Sequence, residues 1–387
     1  MRKHVRLAIS FLLGLLSTRS TLDAQPADVR HVTVYAQPGR FGGWPANHGI
    51  WAWGDEILVG FSAGYHKDNG PNRHAIDHDR PEEHLLARTL DGGFTWKIEN
   101  PADEGDLIPV GDVLHGIAPP GLTERPWRDC PGGIDFTHPD FALTVRMTSV
   151  RNAPSRFYYS TDRGHRWNGP FRLPMFGQTG IAARTDYLIN GKHDCLLFLT
   201  ADKQNRREGR PLCVRTTDGG KTWKFISWIG PEPEGFAIMP STVRIFENEL
   251  LTAIRRREGP KRWIETYRSR DNGLRWTHEP IPVEQTGAGN PPSLIKLKDG
   301  RLCLTYGYRA APYEIRACLS DDTGRTWTQP IALRTGGGGT DLGYPRSVQR
   351  EDGRVVTVYY FHDQPDGDRY IAATIWDPDQ IPVRTDR

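Results

Sequence analysis

Thr216-Thr-Asp218-Gly-Gly220-Lys-Thr-Trp223 is an eight-residue stretch that recurs four more times along the chain. The other copies begin at Thr89, Ser160, Ser269 and Ser320, and all five obey Ser/Thr-x-Asp-x-Gly-x-x-Trp. The pattern makes physical sense as a turn between two strands. Its Asp can accept backbone amides of the turn, and its Gly supplies a positive φ that residues with a Cβ resist. The Trp re-enters on the next strand with a large apolar body and an indole N–H that seeks an acceptor. Five copies at one internal spacing predict an array of like units rather than unrelated domains.

Reading outward from the copies gives the layout. Val29 to Tyr35 alternates as a strand and is expected to pair with the last unit and close a ring. The longest step between copies, Asp91 to Asp162, holds an insertion within Asn100 to Asp135, rich in Pro and Gly and carrying Trp127. Later units span Phe136 to Trp167, Gly180 to Trp223, Gly235 to Trp276 and Asn290 to Trp327. A last unit, Gly343 to Trp376, lacks the tract. That makes five marked units and one unmarked, with another unit count left open. No long segment spaces apolar residues at helical intervals, so helix should be scarce.

Composition agrees with short, half-buried strands: 37% of the 387 residues are hydrophobic, and 41 Gly and 30 Pro supply frequent turns. Lys and Arg exceed Asp and Glu by only three, with no basic tract, so neither nucleic acid nor a membrane surface is an expected partner. Met1-Arg-Lys-His-Val-Arg, the apolar run Leu7 to Leu16 and the polar Ser17 to Asp23 have the parts of an export signal. The expectation is a signal over residues 1–24, one domain over residues 25–387, and a secreted or periplasmic location. An uncleaved anchor stays open, because no small-x-small pattern precedes Gln25. The five Cys leave two readings: buried apolar thiols, or one or two disulfides joining Cys195 to Cys213 and Cys303 to Cys318. No spacing resembles a zinc site; no metal or cofactor is expected, with a structural Ca²⁺ near an Asp-rich loop left open.

The repeated tract resembles the Asp-box, or BNR repeat, of the sialidase-like β-propellers. The resemblance implies an all-β chain, a six-bladed β-propeller of four-stranded antiparallel blades, with the boxes on the rim and chemistry at the opposite, central end. Sialidases hold a substrate carboxylate with three Arg. Arg40, in Arg40-Phe-Gly-Gly-Trp44-Pro, looks like the first. Arg255 matches the second in position, with Arg256 and Arg257 adjacent, and Arg309 is similar to the third, with Arg316 as its competitor. Three guanidiniums converging on one mouth suit a carboxylate, which Arg can bind through two parallel bonds.

The same resemblance makes Tyr344 the nucleophile, eight residues before the Asp352-Gly353 turn, with Arg346 beside it as a further substrate contact. A phenol at its ordinary pKa of ~10 needs help to lose its proton. The proton donor falls on the loop holding Asp77 and Asp79, with Asp77 preferred. The Glu that activates the Tyr in sialidases is missing: Ile238-Met239-Pro240-Ser241 stands in its place. Glu234 upstream and Glu265 on a later strand are substitutes; His48 and His138 are others, since His titrates near neutrality. Trp44, Trp127 and Trp263 are candidates to stack on sugar. The expected function is a secreted exo-acting hydrolase of a terminal acidic sugar. The alternatives are a propeller lyase or other exo-glycosidase on uronate-containing glycans, and a non-catalytic glycan-binding propeller.

Overall fold

Each copy of the tract closes the same turn with the same three bonds. In the third blade the Thr216 hydroxyl donates to Asp218 Oδ1 at 2.8 Å and accepts the Gly220 amide at 2.9 Å; the same carboxylate oxygen accepts the Thr222 amide at 2.9 Å. The copies at Thr89, Ser160, Ser269 and Ser320 repeat this set between 2.7 and 3.0 Å. The fifth-position glycines have φ from 80° to 100°. They also press on the preceding blade: a Cβ on Gly324 would sit 2.6 Å from Leu251 Cδ2. Gly is thus required twice, by conformation and by space. The indole N–H of Trp96 reaches the Gly93 carbonyl at 2.9 Å and that of Trp276 the Gly273 carbonyl at 3.2 Å.

The computed structural model describes residues 28–70, 72–111 and 116–381. The expected export signal lies outside them. Six antiparallel sheets form a six-bladed propeller. Blade four shows the plan, running outward as Phe236–Phe246, Glu249–Glu258, Lys261–Ser269 and Thr277–Val283. Each box lies between the two outermost strands of its blade, so blades extend beyond the box Trp that the sequence reading used as their end. The ring closes as expected: Arg30–Tyr35 pairs with Tyr370–Trp376 as the outer strand of blade six. Blade two departs from four strands, with Ala142–Met147, Ser155–Ser160 and Asn168–Arg172 alone in its sheet. Helix among the described residues is confined to three short turns. All five Cys are free and buried, so the disulfide alternative is corrected; on adjacent strands Cys195 faces Thr216 and Cys213 faces Phe198.

The inner strands are laced by small polar residues. Thr242 Oγ1 donates to Asp186 at 2.9 Å, Ser241 Oγ accepts the Leu294 amide at 2.9 Å, and Ser293 Oγ accepts the Ser347 amide at 3.0 Å. These bonds satisfy backbone groups that six converging inner strands would otherwise strand in the buried centre. They also fix the blades angularly, which places the strand ends at the mouth. Boxes and mouth lie at opposite ends of each blade: in blade four Ser269 starts its box opposite Leu250, whereas Arg255 to Arg257 leave at the far end of the same strand pair.

Box carboxylates tie stability to acid. Slight burial works upward on Asp91, but the Thr95 and Thr89 hydroxyls and the Thr95 and Phe94 amides outweigh it and lower its pKa from 3.8 to about 2. A depressed folded pKa gives stability that is present above the unfolded value and lost as pH falls through the folded one. Urea unfolding midpoints should therefore drop as pH falls from 3.8 to about 2, and Asp91→Asn should flatten that slope. Asp322→Ala should cost about 0.5–2 kcal/mol at neutral pH, the range of a lost cap.

Candidate active site at the mouth of the channel

Met239 and Tyr344 lie near the starts of the inner strands of blades four and six, and Trp44 follows the inner strand Arg40–Gly43 of blade one and caps the helical turn Pro45–His48; each stands immediately before a Pro and each is left-handed, with φ of 56°, 49° and 60°. Residues before Pro normally stay extended, and a left-handed residue with a side chain costs on the order of 1–3 kcal/mol. Something must hold them there. For Tyr344 it is Asn290, whose Oδ1 accepts the Tyr344 amide at 3.0 Å while its Nδ2 donates to the Leu342 carbonyl at 2.9 Å. The three side chains meet in one cluster with Phe41 and Tyr360, turned in toward the mouth.

Tyr344 is buried among guanidiniums. Arg255 Nη1 donates to its hydroxyl oxygen at 3.0 Å, and the Arg309 guanidinium lies 5.3 Å from its ring centroid. Burial alone would raise the phenol, but Arg255, Arg309 and Arg184 together pull it below the ordinary tyrosine value. Because Arg255 donates, the Tyr344 oxygen is an acceptor there. Among the described residues no carboxylate bonds that oxygen.

Asp341, three residues before Tyr344, joins three blades. Its oxygens accept from His74 Nδ1 at 2.7 Å, the Ala75 amide at 2.9 Å, the Tyr360 hydroxyl at 2.7 Å and Arg369 Nε at 3.1 Å, with Arg309 at 4.0 Å. Burial would raise this carboxyl, but His74, Arg309 and the Ala75 amide hold it well below the usual carboxylate range. His74 is pushed the other way: its enclosure lowers it, Arg309 and Arg255 add to that, and Asp341 opposes. At neutral pH the ring is therefore uncharged, and Asp341 stays ionised through its arginines and the amide. The Asp341 carboxylate at 2.7 Å outweighs the Trp44 indole N–H, which approaches the same Nδ1 only to 3.3 Å, and so favours the ring proton there. Nε2 is left as a lone pair, with no partner among the described residues. The His74 ring stands edge-on to Tyr344, centroids 5.8 Å apart.

Two hollows share His74, Phe236 and Arg255. The inner one, about 210 Å³, adds Tyr344, Trp44 and Arg184; the outer, about 640 Å³, adds Arg309, Asp341, Arg257 and Arg262. Arg184 is held by Glu208 through both Nη atoms and by Asn47 Oδ1 at 3.1 Å. The inner hollow thus presents Arg255, the Arg184–Glu208 pair, a phenol beside Arg255 and an oriented imidazole. That set can bind a carboxylate, attack an electrophilic carbon and move a proton.

Of the residues singled out in the sequence, the structure brings Arg255, Arg309, Tyr344 and Trp44 together and moves the rest away. Arg40 pairs with Glu83 at 2.5 Å and stacks on Tyr65, lining neither hollow; Arg184 takes the third guanidinium position. Asp77 and Asp79 share the exposed Lys67 at 2.8 and 3.2 Å, so neither reaches the mouth. Glu265 fails by strand parity: it lies opposite Ile254, on the sheet face away from Arg255, bound to Arg256 at 3.2 Å. His48 is buried against Ser62, Arg146 and His84, in a separate hollow of about 20 Å³. His138 accepts the Asp140 amide beside the blade-two box, at the wrong end. Arg346 ties blades together through the Ala46 and Thr185 carbonyls at 2.8 and 2.5 Å. Trp127 donates to Glu124 at 2.6 Å and Trp263 packs on Arg256, so neither faces the mouth.

His74, Asp341 and Arg184 were missed. Their signals were present: Asp341 follows the Gly336 to Gly339 run and precedes Tyr344 by three residues, and Arg184 opens blade three where Tyr344 opens blade six. His74 lies on the loop expected to carry the proton donor, three residues before Asp77.

The model of the BNR repeat-like domain matches residues 141–357. A protein of unknown function from Dyadobacter fermentans superposes with a TM-score of 0.66 at 21% identity, covering 90% of this chain and 98% of that one. The NanB sialidase of Streptococcus pneumoniae gives 0.59 at 11% identity, over 90% of this chain and 71% of the other. An α-L-arabinanase of Penicillium chrysogenum, solved with arabinobiose, gives 0.56 at 11%, over 91% and 99%. At these identities the likeness is one of fold. No curated protein matches the sequence.

Removing the joint should show in both stability and titration. Asp341→Asn should destabilise the protein by roughly 3–5 kcal/mol, the cost of stranding buried cations. It should also lower the His74 pKa further, since the carboxylate that raises it is gone; ring-proton NMR across pH reads this shift.

Proposed function

The chain belongs to the BNR repeat-like domain family, and from that premise we propose that it is an exo-acting glycoside hydrolase that removes a terminal acidic sugar from a glycan. The observation that carries this reading is the buried Tyr344, whose hydroxyl accepts Arg255 Nη1 at 3.0 Å with the Arg309 guanidinium 5.3 Å from its ring, a setting that pulls the phenol below its ordinary pKa. A mouth with this much positive charge favours an anionic ligand, and arginines suit a carboxylate. In this reading Arg255 and Arg309 receive the carboxylate and Arg184, itself held by Glu208, flanks the ring. The cations substitute for the missing Glu: they favour the phenolate by charge, and the phenol proton is released to solvent before attack.

Tyr344 Oη then forms a bond to the anomeric carbon as the bond to the leaving oxygen breaks. His74 gives that oxygen its proton and later takes one from the water that releases the sugar. The free imidazole is uncharged at neutral pH, but a bound carboxylate nearby favours its protonated form. Proton donor and substrate charge are thereby coupled. The mature domain over residues 25–387 and export by the segment Leu7 to Leu16 belong to the same proposal.

One observation favours a second reading. A neutral His74 oriented by Asp341, beside arginines that neutralise a carboxylate, also suits β-elimination from a uronate, with His74 taking the ring proton. The two readings differ in the alkaline limb of the pH profile. The free-enzyme His74 pKa lies below 6.5. Hydrolysis needs the protonated ring together with the Tyr344 phenolate, so kcat/KM should follow a bell that rises through the lower of the two pKa values and falls through the higher; elimination needs only the bare ring, so kcat/KM should rise through the His74 pKa and then hold.

The test incubates the protein with aryl glycosides of sialic and uronic acids and with uronate-capped oligosaccharides, following aglycone release and unsaturated-product absorbance. Aglycone release is expected, abolished by Tyr344→Phe and reduced about 10²- to 10⁴-fold by His74→Ala. Release that survives Tyr344→Phe contradicts the proposal, and unsaturated product would replace it with the second reading. Binding without turnover would leave a glycan-binding propeller.

A further inference from the structure

Arg255 and Arg257 alternate on one strand and so share a sheet face, and the antiparallel register sets Arg262 directly opposite Arg257. Like charges facing each other across a strand pair are destabilising. The protein does not offset this one internally. Among the described residues Arg257 has no side-chain hydrogen bond or ion pair, and its one partner is the Phe236 ring, 6.0 Å from the guanidinium. Arg262 donates only to the carbonyls of Gly259 and Lys261, at 2.6 and 2.9 Å. The contrast lies on the other face of the same strand, where Arg256 is paired with Glu265 at 3.2 Å and Glu258 at 3.7 Å. Acids are thus supplied to the structural arginine and withheld from the two at the cleft.

The cleft itself is built around them. Gly289 has φ 96°, and a Cβ there would come within 3.2 Å of both Arg255 Nη2 and Arg262 Cδ, so the loop from blade five closes down on these side chains. Arg257, Arg262, Arg73 and Arg309 line the outer hollow of about 640 Å³. Its acid, Asp341, is already shared by His74, Arg309 and Arg369. Enclosure first, then Arg257 and Arg255, pulls Arg262 below the ordinary guanidinium value, which records the same uncompensated charge. Two residues along a strand advance about 6.6–6.8 Å, roughly one sugar unit outward from the carboxylate position.

We propose that Arg257 and Arg262 form a second anion subsite at the outer end of the cleft, which takes an oxyanion, a sulfate ester or a carboxylate, on the sugar next to the terminal one. The subsite's place relative to the substrate rests on the acidic-glycan reading above; its affinity for an oxyanion does not. The substrate class is then a glycan charged on consecutive units, and a singly charged terminus uses only half of the cleft.

The experiment follows arginine Nε–H NMR signals of the full protein during titration with inorganic sulfate. Two sets should move, Arg255 with Arg309 and Arg257 with Arg262, and the Arg257→Gln/Arg262→Gln variant should lose the second set while melting at the wild-type temperature. Movement of Arg255 and Arg309 alone overturns the subsite. Movement of Arg257 and Arg262 alone upholds it and counts against the carboxylate site. In the second arm, a sulfated uronate disaccharide and a non-sulfated di-uronide are compared with a singly charged uronate disaccharide. The double variant should weaken a doubly charged ligand at least about tenfold and leave the singly charged one unchanged. Whichever doubly charged ligand shows the loss identifies sulfate or carboxylate. Equal loss for singly and doubly charged ligands, or no loss, overturns the proposal.

Discussion

The mouth of this propeller depends on the carboxylate of Asp341. It accepts from blade one through His74 and Ala75, and from blade six through Tyr360 and Arg369, while facing Arg309 of blade five. A buried charge with this many donors is stable only because each is present; removing one partner would leave an uncompensated ion in a dry place. The same carboxylate that closes three blades together fixes the His74 tautomer and keeps Arg309 beside Tyr344. Assembly and chemistry are therefore not separable at this residue.

Around that joint the charge is deliberately unbalanced. Arg184 has Glu208 and Arg369 has Asp341, yet among the described residues the side chain of Arg255 hydrogen-bonds a phenol oxygen and no carboxylate. An excess of guanidinium in an enclosed hollow costs stability that the boxes and the inner-strand hydrogen bonds must offset, and the strained left-handed Tyr344 adds to it. Strain and uncompensated charge gathered at one point are the physical marks of a site organised for a ligand. The solved structures of similar fold include proteins described as a sialidase and an arabinanase, which differ in the sugar named for them, so the choice of substrate rests on these side chains rather than on the propeller.

The fold was legible because its determinant is local. Ser/Thr, Asp and Gly of each box make their bonds within the turn they form, so sequence spacing carries the geometry directly. Tyr344, Arg255 and Arg309 were legible because they sit at blade starts and strand ends that the boxes locate. Glu265 and Arg40 were misplaced for reasons that spacing cannot reveal: a one-residue change of parity turns Glu265 to the far face, and Glu83 draws Arg40 aside. The resemblance pointed to an Asp on this loop, but the loop's fold gives Asp77 to Lys67 and His74 to the mouth. Contacts such as His74 with Asp341 join residues from opposite ends of the chain, and only closure of the ring brings them together.

The central claim is that arginines, rather than a neighbouring base, make Tyr344 reactive. Ultraviolet phenolate absorbance measured across pH for the wild type and for Tyr344→Phe isolates this one tyrosine by difference. The difference curve should contain a single group titrating below the ordinary value of 10.0, and moving upward in Arg255→Gln. A Tyr344 that titrates at or above 10.0, or that is indifferent to Arg255, would contradict the account.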